Sequence, residues 1–200
     1  MATPLVIACG ALTGELRAVL DANGMTDDIE VRYLPANLHN RPERIVPALR
    51  EELQLHGSAD RPILIGYADC GTGGLLDALI DEMPHLRRLP GAHCYETFAG
   101  STLFAELHDE EPGTFYLTDF LARHFDALVW QGLGLDDHPE LHQLYFANYR
   151  RVVLLSQSED PAVLQAAVAA AERLGLELEH RHVGRTGLES AVVVTLGRVG

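Results

Sequence analysis

Short apolar segments alternate with longer segments of helical periodicity along the chain. Strands are predicted for residues 5–8, 29–34, 62–65, 151–155, 176–182 and 191–196. A turn followed by a further strand is predicted for residues 111–118. Helices are predicted for residues 15–22, 43–55, 75–83, 95–107, 119–128, 135–149 and 161–174. Strands that alternate with helices favour a parallel sheet with helices packed on it. The sequence therefore predicts an α/β fold, with a mostly parallel central sheet and helices on both of its faces.

The later part of the chain continues the same pattern without a clear linker. We therefore expect one α/β domain over residues 1–200, in which residues 151–200 form a C-terminal βαβ continuation. Ligands of such folds bind beyond the carboxyl ends of the strands. This expectation directs attention to the turns that follow the predicted strands.

A glycine-rich turn over residues 66–74 lies between the third predicted strand and a helix. Gly71, Gly73 and Gly74 allow a positive φ and the close approach of a ligand, so we expect them to contact a cofactor. Cys70 lies in the same turn, close to a helix start, where backbone amides favour anions and thiolates. A buried cysteine in an ordinary strand-to-helix turn is the alternative at this point.

All three cysteines, Cys9, Cys70 and Cys94, follow a predicted strand and precede a helical segment. In a parallel sheet their turns lie at one edge, where three thiolates could converge and leave a fourth position open. Zinc accepts such ligands, and an open position is typical of a catalytic zinc site. An iron–sulfur cluster held by three cysteines fits the same pattern. His93 is a further candidate ligand, whereas three small buried residues at the sheet edge are the alternative.

Three other side chains are candidates for acid–base chemistry near this edge. His39 lies in the loop after the second predicted strand and could be a fourth ligand or a base, although a solvated loop histidine is the alternative. Asp69 and Glu96 flank two of the cysteines and could act as acid and base or orient ligands. A carboxylate that stabilises a helix N-terminus is the alternative for both.

The composition of the chain limits the kinds of molecule that we expect it to bind. The 200 residues carry a formal net charge of −14, which disfavours binding to a phosphate backbone. Neither a signal peptide nor an apolar run long enough to span a membrane is recognisable. We therefore expect a cytoplasmic protein with no nucleic-acid or membrane partner, whose cysteines are free thiols or metal ligands.

Several of these segments together resemble the domain-of-unknown-function family numbered 1638. The resemblance spans about residues 5–155 and is carried by Ala8-Cys9-Gly10 with Glu15, by residues 34–43, 66–75 and 112–118, and by Cys94 and Gly100-Ser101. The chain departs from the family pattern at His93, where an aspartate is common, and at Asp119-Phe120, where a tryptophan is common. The first departure leaves open both the ligand set and the residues that would orient the ligands.

The resemblance implies a function in one-carbon metabolism, because genes of this family often accompany corrinoid-dependent methyltransferase systems that deliver methyl groups to tetrahydrofolate. We expect a metal-binding enzyme or enzyme component of the methyltransferase type, with Zn²⁺ at the three cysteines and a small-molecule substrate. A corrinoid protein or a methyltransferase is the expected partner and would supply the corrinoid. The alternatives are a non-catalytic protein that handles a corrinoid or a metal, and an iron–sulfur protein.

Overall fold

The computed structural model describes residues 2–196. These residues divide into two compact units, each treated by itself below. The first unit contains residues 2–97 and 185–196, and the second contains residues 98–184.

Parallel strands and helices make up both units. The strands are β1 (Leu5–Cys9), β2 (Glu30–Leu34), β3 (Ile63–Gly66), β4 (Leu86–Arg88), β5 (Thr114–Thr118), β6 (Arg151–Ser156) and β7 (Glu177–His182). The α-helices are α1 (Thr13–Ala22), α2 (Ile45–His56), α3 (Leu75–Glu82), α4 (Cys94–Ala99), α5 (Ser101–Glu110), α6 (Asp119–Arg123), α7 (Leu141–Phe146), α8 (Pro161–Leu174) and α9 (Thr186–Leu196). Short 3₁₀ segments lie at Gly10–Leu12, Ala36–Asn40 and Pro42–Arg44, and a π-helical segment at Asp126–Trp130.

The sheet of the first unit has the strand order β2-β1-β3-β4, and all of its pairs are parallel. Every residue of β1 is buried, as expected for a central strand covered on both faces. Gly66 of β3 pairs with Ala8 of β1, and a Cβ atom at Gly66 would lie only 2.5 Å from the Ala8 Cβ. A glycine at this position therefore lets the two strands approach at the end where the cysteine-bearing turns begin.

The second unit has a parallel sheet of its own, in the order β5-β6-β7. Its α8 begins where Asp160 accepts a hydrogen bond from the Ala162 amide, with Pro161 at the first helical position, and ends at Gly175 with φ 71°. Small residues along this helix, among them Ala167, Ala170 and Ala171, are buried in the apolar core of the unit. Their size lets the helix lie close to the sheet.

The predicted α/β class and the parallel strands are confirmed, but the strands of the described residues form two sheets instead of one central sheet. The strand predicted for residues 191–196 is wrong, because these residues belong to α9. Their valine run is typical of a strand. However, Leu188, Val192 and Leu196 are the buried residues of α9, and their spacing of four places them on one helical face.

Three predicted helices differ in the structure. The α-helix predicted over residues 119–128 ends at Arg123, and the π-helical segment Asp126–Trp130 follows it. The helix predicted over residues 95–107 is divided into α4 and α5 at Gly100, which has φ 77°. Of the helix predicted over residues 135–149, the structure forms α7 (Leu141–Phe146) as an α-helix. Across residues 2–196, no helix has the length and apolar character needed to cross a membrane.

Candidate functional site

The three cysteines lie beyond the carboxyl ends of neighbouring strands in the first unit. Cys9 is the last residue of β1, Cys70 lies four residues past the end of β3, and Cys94 opens α4 after β4. The Cys94 thiol interacts electrostatically with those of Cys70 and Cys9, and the Cys9 thiol interacts with that of Cys70. Three residues far apart in sequence thus form one thiol cluster, the name used below for Cys9, Cys70 and Cys94.

Cys70 and Cys94 lie side by side within this cluster. The neighbouring Cys94 thiol lowers the pKa of Cys70, although burial acts in the opposite direction. The backbone amides of Cys94 and Ala68 lower the pKa of Cys70 further. The pKa of Cys94 is raised, because the Cys70 sulfur beside it and the burial of its side chain both disfavour a thiolate there. Cys70 therefore loses its proton more readily than Cys94 does.

The backbone of Cys70 is strained. With φ 50°, Cys70 is the residue other than glycine that has a positive φ in the described part of the chain. Its amide donates to the Ala92 carbonyl at 2.9 Å, and the Asp69 amide donates to the Gly91 carbonyl at 3.3 Å. These bonds join the turn after β3 to the turn after β4 and hold Cys70 beside Cys94. Strained residues of this kind concentrate at functional sites.

Tyr67 contributes a buried hydroxyl that sequence analysis missed. The residue is 2% exposed, and its hydroxyl lacks a partner of full hydrogen-bond geometry among the described residues. It nevertheless faces the Cys9 sulfur, and it interacts electrostatically with all three thiols. Burial raises the pKa of Tyr67 far above its usual range, so the hydroxyl keeps its proton. It can donate that proton to a Cys9 thiolate or to a bound ligand. Its position directly after β3 was the available signal in the sequence.

Two neutral histidines adjoin the thiol cluster. The His93 Nδ1 lies 3.4 Å from the Cys94 Sγ, and the His93 ring stacks on Tyr95 with centroids 4.0 Å apart. The His39 ring meets the His93 ring edge-on, with centroids 4.9 Å apart. Burial lowers the pKa of His39, and burial together with His39 lowers the pKa of His93 to about 3. Both imidazoles are therefore uncharged at neutral pH, and the His93 Nδ1 also accepts a hydrogen bond from the Tyr95 amide at 3.4 Å.

The His39 loop also meets the glycine-rich turn. It follows β2, whose last residue, Leu34, pairs with Cys9 of β1. A Cβ atom at Gly71 would lie 3.5 Å from the Cβ of Pro42, so the loop packs directly on this turn. His39 contacts His93, and His93 contacts Cys94, so the His39 ring is separated from the thiol cluster by the His93 ring.

The carboxylates of Asp69 and Glu96 stabilise the turns that follow β3 and β4. The Asp69 carboxylate accepts hydrogen bonds from the Thr72 hydroxyl at 2.6 Å and from the Gly74 and Gly73 amides at 3.0 and 3.3 Å. Burial raises the pKa of Asp69, but these bonds outweigh it and the net shift is downward. Glu96 accepts from the Ala92 amide at 2.9 Å. Both residues therefore have a structural role, and a catalytic role for either of them stays a prediction.

The glycine-rich turn is open to its surroundings at Gly73 and Gly74. A Cβ atom at Gly73 or Gly74 would meet nothing within 4 Å, and both residues have positive φ values, 65° and 86°. Contact of Gly71, Gly73 and Gly74 with a cofactor stays a prediction.

The donor chemistry of the thiol cluster suits zinc, but its ligands are not arranged as a finished coordination shell. Across residues 2–196, no group of three or more His, Cys, Asp or Glu side chains is placed ready to hold a metal ion. Thiolates and a neutral imidazole are nonetheless the donors that zinc prefers. The protons of these thiols would have to leave when a metal binds, since a metal requires deprotonated thiols. Metal binding therefore requires the thiols to reorient.

Comparison with known families agrees with the resemblance seen in the sequence. The model of the family described as protein of unknown function (DUF1638) matches residues 33–192. Cys70 and Cys94 lie inside the matched residues, and Cys9 precedes them. No curated protein and no solved structure matches the chain. The match covers most of the 200 residues, and the chain therefore belongs to the DUF1638 family.

Proposed function

We propose that the thiol cluster is a metal-binding thiolate centre, with zinc favoured, and that it takes part in methyl transfer in one-carbon metabolism. The observation that carries the proposal is the position of Cys70 beside Cys94, held by the backbone bonds between their two turns, where the Cys94 thiol lowers the pKa of Cys70. Cys9 supplies a third sulfur within electrostatic reach. In this proposal the protein is cytoplasmic, where reducing conditions keep all three thiols free.

The proposed ligands are Cys9, Cys70 and Cys94, with His93 as the fourth candidate because its Nδ1 already lies 3.4 Å from the Cys94 sulfur. Bound zinc would supply positive charge that keeps a coordinating thiol deprotonated at neutral pH. The protein contributes a rigid edge of the sheet and neutral imidazoles. The buried Tyr67 hydroxyl adds a hydrogen-bond donor that faces Cys9.

The methyl-transfer step rests on the chemistry of a thiolate nucleophile. Cys70 attacks the carbon of a methyl group carried by a small-molecule donor or by a partner's corrinoid. The S–C bond forms as the bond from the methyl carbon to its donor breaks, and that electron pair stays with the donor. His39 can accept a proton from a substrate at the outer side of the cluster, because burial keeps its imidazole uncharged.

Metal content of anaerobically purified protein tests the centre. We expect wild-type protein to carry zinc, and Cys70→Ser and Cys94→Ser to lose it, because a hydroxyl is a much poorer donor to a soft metal than a thiolate. His138→Gln, an exposed histidine of the second unit, is the matched control and should keep the wild-type metal content. Full metal content in both cysteine variants would overturn the proposal.

Visible absorbance separates the alternatives, because zinc is colourless whereas an iron–sulfur cluster and a corrinoid are coloured. Methyl transfer is tested by incubation with a methylated donor and peptide mass spectrometry of Cys70. A mass increase of one methylene on Cys70, absent in Cys70→Ser, supports turnover. Metal binding without any methylated cysteine would favour a carrier that handles a metal or a corrinoid.

His39→Ala distinguishes its two candidate roles. If His39 is a base, metal content stays unchanged and turnover falls by about 10²–10⁴-fold. If His39 is a ligand, metal affinity falls by about 10-fold or more. We favour the base, because the His39 ring contacts His93 edge-on, whereas it is His93 whose Nδ1 contacts a cysteine sulfur.

A further inference from the structure

A second group of chemically active side chains lies in the second unit, at the carboxyl end of its sheet. Ser156 is the last residue of β6, and His180 and His182 lie on the neighbouring strand β7. In the register of the two strands, Leu154 pairs with His180 and Ser156 pairs with His182. All four residues line a cavity of about 340 Å³. Sequence analysis gave these histidines no function.

Both imidazoles converge on one atom. The Ser156 Oγ lies 2.8 Å from the His180 Nε2 and 3.1 Å from the His182 Nδ1. Residues two apart on a strand project from the same face, and this spacing explains why both rings reach the same hydroxyl. Ser156 is 2% exposed, whereas both histidines are exposed. The buried Ser156 hydroxyl thus holds the two ring nitrogens close together in the lining of the cavity.

The lining of the cavity includes acidic residues. Glu159 and Asp160 are part of its lining. The Asp160 carboxylate accepts from the Ala162 amide at 2.9 Å and from Arg123 at 2.7 Å. The first turn of α8 therefore gives an amide to its own cap instead of to a bound anion. Arg123 balances the charge of Asp160, and the Glu159 carboxylate adds negative charge at the cavity.

We propose that His180 and His182 chelate a divalent transition-metal ion at this cavity. Two converging imidazoles suit Zn²⁺, Cu²⁺ and Ni²⁺. In the absence of metal, the Ser156 hydroxyl bonds to both rings and holds the two nitrogens in position. As no three His, Cys, Asp or Glu side chains in the described residues form a ready metal-binding group, the protein supplies two nitrogen ligands here. Water or a substrate atom completes the coordination. This site shares no residue with the thiol cluster, and the two proposals stand independently.

Titration of the full-length protein with Zn²⁺, followed through the histidine-ring signals by NMR, tests this site. We expect saturable shifts of the His180 and His182 signals. His180→Gln and His182→Gln should each weaken this binding by about 10-fold or more, the scale seen when a metal site loses a supporting partner. Both positions are exposed on β7, and glutamine keeps a polar group that can bond to Ser156 in place of the ring.

His138→Gln is the matched control, because His138 is an exposed histidine of the same unit that pairs with Glu140. It should leave the affinity at His180 and His182 unchanged. Two results would overturn the proposal: unshifted His180 and His182 signals at saturating Zn²⁺, or a wild-type affinity in both variants. An equal shift at His138 would also overturn it, because it would indicate unspecific binding to surface imidazoles. None of these outcomes depends on the cysteines, whose metal content is measured separately.

Discussion

At the scale of single residues, Cys70 combines a strained backbone with a stabilised thiolate. A positive φ costs a residue with a Cβ atom roughly 1–2 kcal/mol, and the fold retains it through the amide bonds that join Cys70 and Asp69 to the next turn. The same turn places the Cys70 sulfur beside the Cys94 thiol, which lowers the pKa of Cys70. Backbone strain and thiol chemistry therefore have one structural origin.

Removal of the Cys94 thiol should raise the pKa of Cys70. Cys94→Ala removes the neighbouring group that lowers the pKa of Cys70 most, whereas Cys94→Ser keeps a hydroxyl at that position. The thiolate fraction falls as the pKa rises, by about 10-fold for each pKa unit, so alkylation of Cys70 at neutral pH should slow in Cys94→Ala and much less in Cys94→Ser. Peptide mass spectrometry after brief iodoacetamide treatment of metal-free protein measures the rate. Equal rates in wild type and Cys94→Ala would contradict this effect of Cys94.

His93 should make the protein less stable as the pH falls. Burial and His39 lower its pKa to about 3 in the folded protein, whereas an unfolded histidine has a pKa near 6.5. The unfolded chain therefore binds the proton first, and the stability present above about pH 6.5 is lost as the pH falls towards 3. From pH 7 to pH 5 this loss is at most about 2 kcal/mol.

Urea unfolding at pH 7 and pH 5 measures this effect. His93→Gln should flatten the pH dependence of the free energy of unfolding, and His138→Gln, exposed and paired with Glu140, should leave it as in wild type. The same pH dependence in His93→Gln and wild type would contradict the account.

At the scale of elements, the positions of the cysteine-bearing turns were predictable, because the carboxyl ends of parallel strands meet at one edge. The sequence could not reveal which side chains touch there. The contact of His39 with His93 depends on how the loop after β2 packs on Gly71, which is a tertiary contact. The valines at residues 192–194 were misleading, because burial of one face of α9 outweighed their strand propensity.

Gly91 is the position at which the joined turns are most easily disturbed. It has φ 90°, and a Cβ atom there would lie 2.5 Å from the Glu96 carboxylate, which accepts from the Ala92 amide. Gly91→Ala should cost about 2–3 kcal/mol, since it adds the loss of this hydrogen bond to the strain of a positive φ. It should also change the alkylation rate of Cys70, whose amide donates to Ala92.

Gly24→Ala separates strain from contact. Gly24 has φ 66°, but a Cβ atom there would meet nothing within 4 Å. This control should cost only about 1–2 kcal/mol and leave the Cys70 alkylation rate unchanged. Thermal unfolding and the alkylation assay together measure both variants, and equal effects of the two would show that the turns are not coupled through Gly91.

At the scale of the whole molecule, the chain leaves the first unit after Thr97 and returns to it at Arg185. The returning helix α9 contacts α1 and β3. Arg185 forms an ion pair with Glu15, and the Asn23 amide donates to Glu189 at 2.9 Å. Residues from the C-terminal part of the chain therefore pack against the sheet that carries the thiol cluster.

Truncation of a buried side chain in α9 should for this reason weaken the N-terminal sheet. Leu188 is 1% exposed, and Leu188→Ala should cost about 2–5 kcal/mol, whereas Leu55→Ala, at a position 74% exposed, should stay within about 0.5 kcal/mol. Hydrogen exchange measured by mass spectrometry localises the effect, because exchange through unfolding accelerates as the free energy of opening falls. In Leu188→Ala we expect faster exchange in β1 and β3, with peptides of β5 and β6 as the internal reference. Unchanged exchange in β1 and β3, or acceleration confined to β5 and β6, would show that α9 does not support the sheet of the first unit.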